Sequence, residues 1–149
     1  MTKSLKNKTV NSGIRIANKL DVNAILTHRK QCLAYLSSYQ NIIEPGDTEG
    51  YLIVYEINNQ IVGSARLDIS GSTGTITRLV TDLNYRSSGV GSSLVKHLIN
   101  KAHNKNLSTL KLRCLAANYK FYEKLGFTKD GKSYLENNQK YYNMKLHLS

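Results

Sequence analysis

Arg86, Gly89 and Gly91 stand in an Arg-x-x-Gly-x-Gly spacing, with Ser87, Ser88, Ser92 and Ser93 interleaved. These residue types suit an anion. The glycines remove the Cβ atoms that would keep a ligand off the backbone, the arginine is a fixed cation, and the serines add hydroxyl donors. Directly behind them, Val90, Leu94, Val95, Leu98, Ile99 and Ala102 recur at helical spacing, while Lys96, His97, Asn100, Lys101 and His103 take the opposite face. A helix that starts near Gly89 aims its unpaired backbone N–H groups and the positive end of its dipole into the glycine turn, an arrangement that suits a pyrophosphate. Leu79 and Val80 end an apolar strand just ahead of it. The order is strand, anion loop, helix.

Two common phosphate loops match poorly. A Walker loop needs lysine after its second glycine, but Gly91 is followed by Ser92 and Ser93. The dinucleotide fingerprint needs a third glycine and an acidic ribose partner, and both are missing here. Taken alone, such a turn can also simply open a helix. A second constellation lies about thirty residues on. Asn118 and Tyr122 are four apart, hence on one helix face and able to point at one cleft, while Phe121, Leu125 and Phe127 read as core and Gly126 as the helix stop. A phenol with an ordinary pKa of about 10 is protonated at neutral pH, so Tyr122 can donate a proton.

The elements that must position these residues follow from periodicity and turn chemistry. Ile14 to Ala17 reads as a first strand, and Asp21 as the cap of a helix whose stripe is Val22, Ile25, Leu26, Cys32, Leu33 and Leu36, with Arg29 inside it. Residues 37–50 break the pattern and hold the single proline. Tyr51 to Ile57 and Ile61 to Ile69 form a hairpin about Asn58-Asn59-Gln60, and Thr75 to Val80 is a third strand. After the long helix come a strand over 107–115, a short helix over 116–125, and a closing hairpin, 127–135 and 140–148, about Asn137-Asn138-Gln139. A helical crossover makes the 107–115 strand parallel to the strand that ends at Val80.

Both motifs and the element order resemble the GNAT superfamily of acetyl-CoA-dependent N-acetyltransferases. Arg86-x-x-Gly89-x-Gly91 is similar to the family's pyrophosphate loop, and Asn118 to Phe127 resembles its Asn…Tyr…Gly-Phe stretch. The resemblance implies an α/β (α+β) fold with a single mixed, mostly antiparallel sheet of about six to seven strands, helices on both faces, and strands splayed at the acetyl-CoA site. It implies that Leu79, Val80, Arg86, Ser87, Ser88, Gly89, Val90, Gly91, Ser92 and Asn118 bind acetyl-CoA, and that Tyr122 protonates the departing thiolate. The implied activity is acetyl transfer to a primary amine of a small molecule or protein by direct attack. Many members carry a glutamate on the strand entering the loop; Thr75, Thr77 and Arg78 stand there in this chain, leaving Glu44, Glu56 and Asp68 as candidate bases. The family's usual proline and glycine are replaced by Leu83 and Ser87, and a left-handed Ser87 would cost about 1–2 kcal/mol.

The 149 residues, 40% of them hydrophobic, suit one domain over residues 13–149 behind a flexible basic lead, 1–12. No apolar run nears the ~20 residues of a membrane span, and a cytoplasmic location is expected. Cys32 and Cys114 read as buried thiols, and His28, His97, His103 and His147 lack metal-site spacing, so no metal is expected. The net charge of +11 is spread along the chain, which argues against nucleic acid as partner and is met in part by a polyanionic cofactor. Two alternatives stand beside the enzyme: a catalytically silent CoA-binding or sensing module, and a basic nucleic-acid-binding domain. Tyr141 and Tyr142 on the last strand offer an edge for a homodimer.

Overall fold

A computed structural model of the chain describes residues 12–34, 36 and 39–148; apart from Ser12, which opens a strand, the lead expected over 1–12 lies outside the described residues. In chain order the elements are β1 (Ser12–Ile16), α1 (Val22–Leu33), α2 (Pro45–Glu49), β2 (Tyr51–Ile57), β3 (Gln60–Ser70), β4 (Thr73–Thr81), α3 (Val90–Asn104), β5 (Thr109–Leu115), α4 (Tyr119–Lys124), β6 (Thr128–Lys129), β7 (Tyr134–Glu136) and β8 (Gln139–His147). They build one sheet in the order β1-β2-β3-β4-β5-β8, with β6 and β7 both paired to the outer side of β8. Every pairing is antiparallel except β4 with β5. The hairpin turns at Asn58-Asn59 and Asn137-Asn138 hold both asparagines at positive φ, the backbone that two-residue hairpins require and asparagine tolerates.

Alternation along the strands divides the core between two faces. On one, Val90, Leu94, Val95, Leu98 and Ala102 of α3 pack with Ile53, Val62, Leu67, Leu110, Phe127 and Met144. Leu94 and Leu98 are fully buried, and each contributes about 2 kcal/mol of transfer free energy. On the other face α1 sets Ile25 against Leu52 and Val54. Leu33 and Leu36 meet Val80 and Tyr141 there in a second apolar cluster.

Several local expectations change. Asn18, not Asp21, supplies the side-chain cap at the entry to α1, by accepting from Leu20 N; Asp21 accepts from Asn18 N and is gripped by Arg15 at 2.8 and 2.9 Å. Within the irregular 37–50 stretch Pro45 starts the short α2, where its missing N–H costs nothing. The helix expected over 116–125 is a 3-10 turn at 116–118 followed by α4. The strand expected over 127–135 is broken at Asp130-Gly131, with Gly131 at positive φ, which raises the strand count to eight.

Candidate active site

The sheet opens where the site begins. β4 and β5 pair only through Thr73, Gly74 and Thr75 with Thr109, Leu110 and Lys111, and beyond that point they part. Gly74 permits the close contact: a Cβ there would meet the Leu110 and Leu67 side chains at 2.9 Å. From Ile76 to Thr81 the β5-facing edge of β4 has no strand neighbour among the described residues. A bulge reshapes the same stretch. Ser64 pairs with Val80 and Arg66 with Thr77, so Ala65 faces both Arg78 and Leu79, and Arg78 takes a φ of 56°.

That conformation is unfavourable for arginine by about 1–2 kcal/mol, and a partly buried ion network surrounds it. The Arg78 guanidinium donates to both carboxylate oxygens of Glu44, at 2.9 and 2.8 Å. Arg66 donates to Glu44 at 3.0 Å, to Asp47 at 2.9 Å and to Asp68 at 2.8 and 3.1 Å. The fully buried Arg29 of α1 grips Asp47 at 2.9 and 2.7 Å. Hydrogen bonds from Arg78 hold the Glu44 carboxyl below its ordinary range. Burial alone would raise Asp47, but bonds from Arg29, Glu44 N and Arg66 bring it down to about 2.

Between the parted strands lies a cavity of about 730 Å³. It reaches both faces of the sheet, from the start of α3 to Cys32, Leu33 and Leu36 near the end of α1. At the α3 end, Asp82 caps the turn after β4 by accepting from Asn84 N at 2.8 Å, and its carboxylate accepts from His28 Nε2 at 3.0 Å in the tautomer that carries the proton on that nitrogen. Ser87 lies at φ 64°, the left-handed conformation weighed from sequence. Gly89 at φ 91° occupies the N-cap of α3, and no side chain caps that terminus among the described residues. A Cβ on Gly89 would meet nothing within 4 Å, and one on Gly91 would meet only Phe121 and Thr81 at 3.6 Å. An uncapped helix start facing open space fits a diphosphate.

Ten of the eleven residues singled out from sequence line this one cavity. Leu79 and Val80 come from β4; Arg86, Ser87, Gly89, Val90, Gly91 and Ser92 from the turn and α3; Asn118 and Tyr122 from the segment after β5. Ser88 is not among the lining residues: its hydroxyl donates back to the Tyr85 carbonyl and its amide does so at 3.3 Å. The Arg86 guanidinium lies 3.3 Å from Cys32 Sγ, across the cavity mouth from α1. The Tyr122 ring is held edge-on by Phe121 and Phe127, with centroids 4.9 and 6.2 Å away.

Other participants were missed. Tyr141, read as an edge residue for dimer contact, is 2% exposed and lines the cavity from within. Both cysteines line the cavity; Cys32, expected to be buried, is only partly so, whereas Cys114 is buried and its thiol is pushed up to about 11. Arg29 was visible as a cation inside the apolar stripe of α1, and Glu44-Pro45-Gly46-Asp47 as the proline-bearing part of a break in the pattern; only the fold joins them. Of the candidate bases, Glu44 is held by Arg78 and Arg66, Asp68 by Arg66, and Glu56 by Arg15 at 3.1 Å. No acidic side chain is among the residues that line the cavity.

A mostly antiparallel sheet opened beside a helix N-terminus is the architecture of N-acetyltransferases. The structure superimposes on the ribosomal-protein-S18-alanine N-acetyltransferase from Escherichia coli with a TM-score of 0.78 over 93% of this chain and 95% of that one, at 18% identity. An N-acetyltransferase from Staphylococcus aureus Mu50 gives 0.78 over 93% and 99% at 22% identity. Rv2747 from Mycobacterium tuberculosis, solved in complex with CoA, gives 0.78 over 92% and 99% at 18% identity. In sequence, a Bacillus subtilis (strain 168) protein named as an acetyltransferase is 34% identical over 82 residues, which span 55% of this chain and 54%, about half, of that relative. Residues 16–148 match the acetyltransferase (GNAT) domain. The chain belongs to the GNAT acetyltransferase family, a family of acyltransferases that use acetyl-CoA.

Proposed function

We propose that this protein transfers an acetyl group from acetyl-CoA to a primary amine by direct attack in a ternary complex, in the cytoplasm. The observation that carries this reading is the single cavity joining the uncapped start of α3 to the gap between β4 and β5, with Tyr122 on its wall. Backbone N–H groups of the Gly89 to Ser92 turn hold the diphosphate, with Arg86 as the nearby cation. The free edge of β4 at Leu79 and Val80 offers backbone groups to the pantetheine arm and to the developing oxyanion. Acetyl-CoA supplies an activated thioester. The amine nitrogen gains the C–N bond as the C–S bond breaks; Tyr122 gives its proton to the sulfur, and the proton lost by the amine returns to the phenol through solvent. With no carboxylate on the cavity wall, an ammonium acceptor must shed its first proton to water.

The test is calorimetry of acetyl-CoA on the native chain and on Gly89→Arg, followed by an assay of free CoA thiol. Micromolar binding, lost in Gly89→Arg with the thermal transition retained, supports the site. Tyr122→Phe should then lower kcat by about 10²-fold or more at unchanged acetyl-CoA affinity. Binding of acetyl-CoA without thiol release from any amine in a broad panel would instead leave a silent CoA-binding module, the reading that the acid-free cavity wall favours if turnover is absent.

A further inference from the structure

We infer that the acceptor sits at the α1 end of the cavity and is a primary amine carried on an apolar, alkyl or aromatic body with no second positive charge. The inference rests on the acetyl-transfer reading and names its substrate class. With the α3 end of the cavity given to the diphosphate, the remaining end lies on the opposite face of the sheet. Its walls are Leu33, Leu36, Val80, Leu115 and Tyr141. Four of these form one buried apolar cluster, and Leu115 packs against it.

The chemistry of these walls selects by charge. No aspartate or glutamate lines the cavity, and the residues outside the description, 1–11, 35, 37, 38 and 149, include none. The arginines nearest this end are already matched, Arg78 by Glu44 and Arg113 by Glu136 at 3.0 Å, while Arg86, given to the diphosphate, reaches only as far as Cys32 Sγ. A polyamine here would bring its second ammonium out of water with no carboxylate to receive it, which is the expensive form of burial. An alkyl or aryl body gains instead from leaving water against leucine and tyrosine. The Tyr141 hydroxyl, buried and without a hydrogen-bond partner among the described residues, adds a polar atom to an otherwise apolar wall.

The discriminating experiment compares phenethylamine with spermidine on the purified chain, following CoA thiol release at saturating acetyl-CoA, with acetyl-CoA affinity measured alongside by calorimetry. The expected kcat/KM for phenethylamine exceeds that for spermidine by about 10²-fold. Leu36→Glu, which places a carboxylate in the wall, should narrow that ratio tenfold or more while acetyl-CoA affinity changes less than twofold. The native comparison decides the matter even if Leu36→Glu does not fold. Transfer to spermidine at equal or higher efficiency overturns the assignment of the acceptor and leaves acetyl transfer standing. Acetyl-CoA binding with no thiol release from either amine or from a broad panel, or no acetyl-CoA binding, overturns acetyl transfer and the acceptor assignment with it.

Discussion

Removing Glu44 should damage the site from outside its walls. Its carboxylate bridges Arg78 on β4 to Arg66 on β3, and Arg78 is the residue bent to φ 56° at the bulge. Breaking a fully buried pair by deleting one partner costs about 3–5 kcal/mol. The Glu44 and Arg78 side chains are 20% and 17% exposed, and Arg66 keeps Asp47 and Asp68, so Glu44→Ala should cost about 2–3 kcal/mol. Urea denaturation at pH 7 measures it. The strained bulge then loses its anchor, and acetyl-CoA affinity should fall about tenfold by calorimetry, because Leu79 and Val80 follow Arg78 directly. A second substitution isolates the cause. Arg78→Gly removes both the stranded cation and the left-handed penalty, so Glu44→Ala/Arg78→Gly should be about 1–2 kcal/mol more stable than the sum of the single variants. Strict additivity in that cycle would refute the clamp, and unchanged acetyl-CoA affinity in a destabilised Glu44→Ala would refute its role at the bulge.

Three further outcomes are expected. Iodoacetamide at pH 8 should alkylate the partly exposed Cys32 at least tenfold faster than Cys114, whose thiol is buried and raised to about 11; peptide mass mapping reads the ratio, and bound acetyl-CoA should slow the Cys32 reaction. Ser87→Gly should raise stability by about 1 kcal/mol in the same urea assay, since glycine adopts φ 64° without a Cβ clash, and a loss of stability would mean that the serine side chain holds the turn. Asp47 titrates near 2 in the folded chain against an ordinary 3.8, so its contribution of about 2 kcal/mol is fully present above about pH 4 and is lost as pH falls towards 2. Urea titrations between pH 5 and pH 2 should show that slope in the native chain and a weaker one in Asp47→Asn.

The two short motifs were legible because each is local. A glycine pair at a helix start and a tyrosine four residues from an asparagine define their own geometry over one or two turns, and ten of the eleven residues they nominated do share a cavity. The hairpin pairings and the parallel crossover were legible for a similar reason, since asparagine turns and a connecting helix dictate those neighbours and their direction, whereas the pairings of β1 with β2 and of β5 with β8 join distant segments and were not. What stayed hidden is long-range. Glu44, Asp47, Arg29, Arg66 and Arg78 come from α1, the α2 turn, β3 and β4, and nothing in their spacing shows that they neutralise one another. Their pairing also bears on chemistry. Each carboxylate that looked available as a base from sequence is engaged by an arginine in the folded chain, Glu56 by Arg15 and Glu44 and Asp68 within the network. Glu44 and Asp68 thus belong to the network beside the splayed strands, and the proposed mechanism leaves the acceptor's proton to water. On that reading, activity should rise with pH in step with deprotonation of the amine acceptor. An additional ionisation near pH 4–6 that persists when the acceptor is changed would show that one of these carboxylates acts as a base after all.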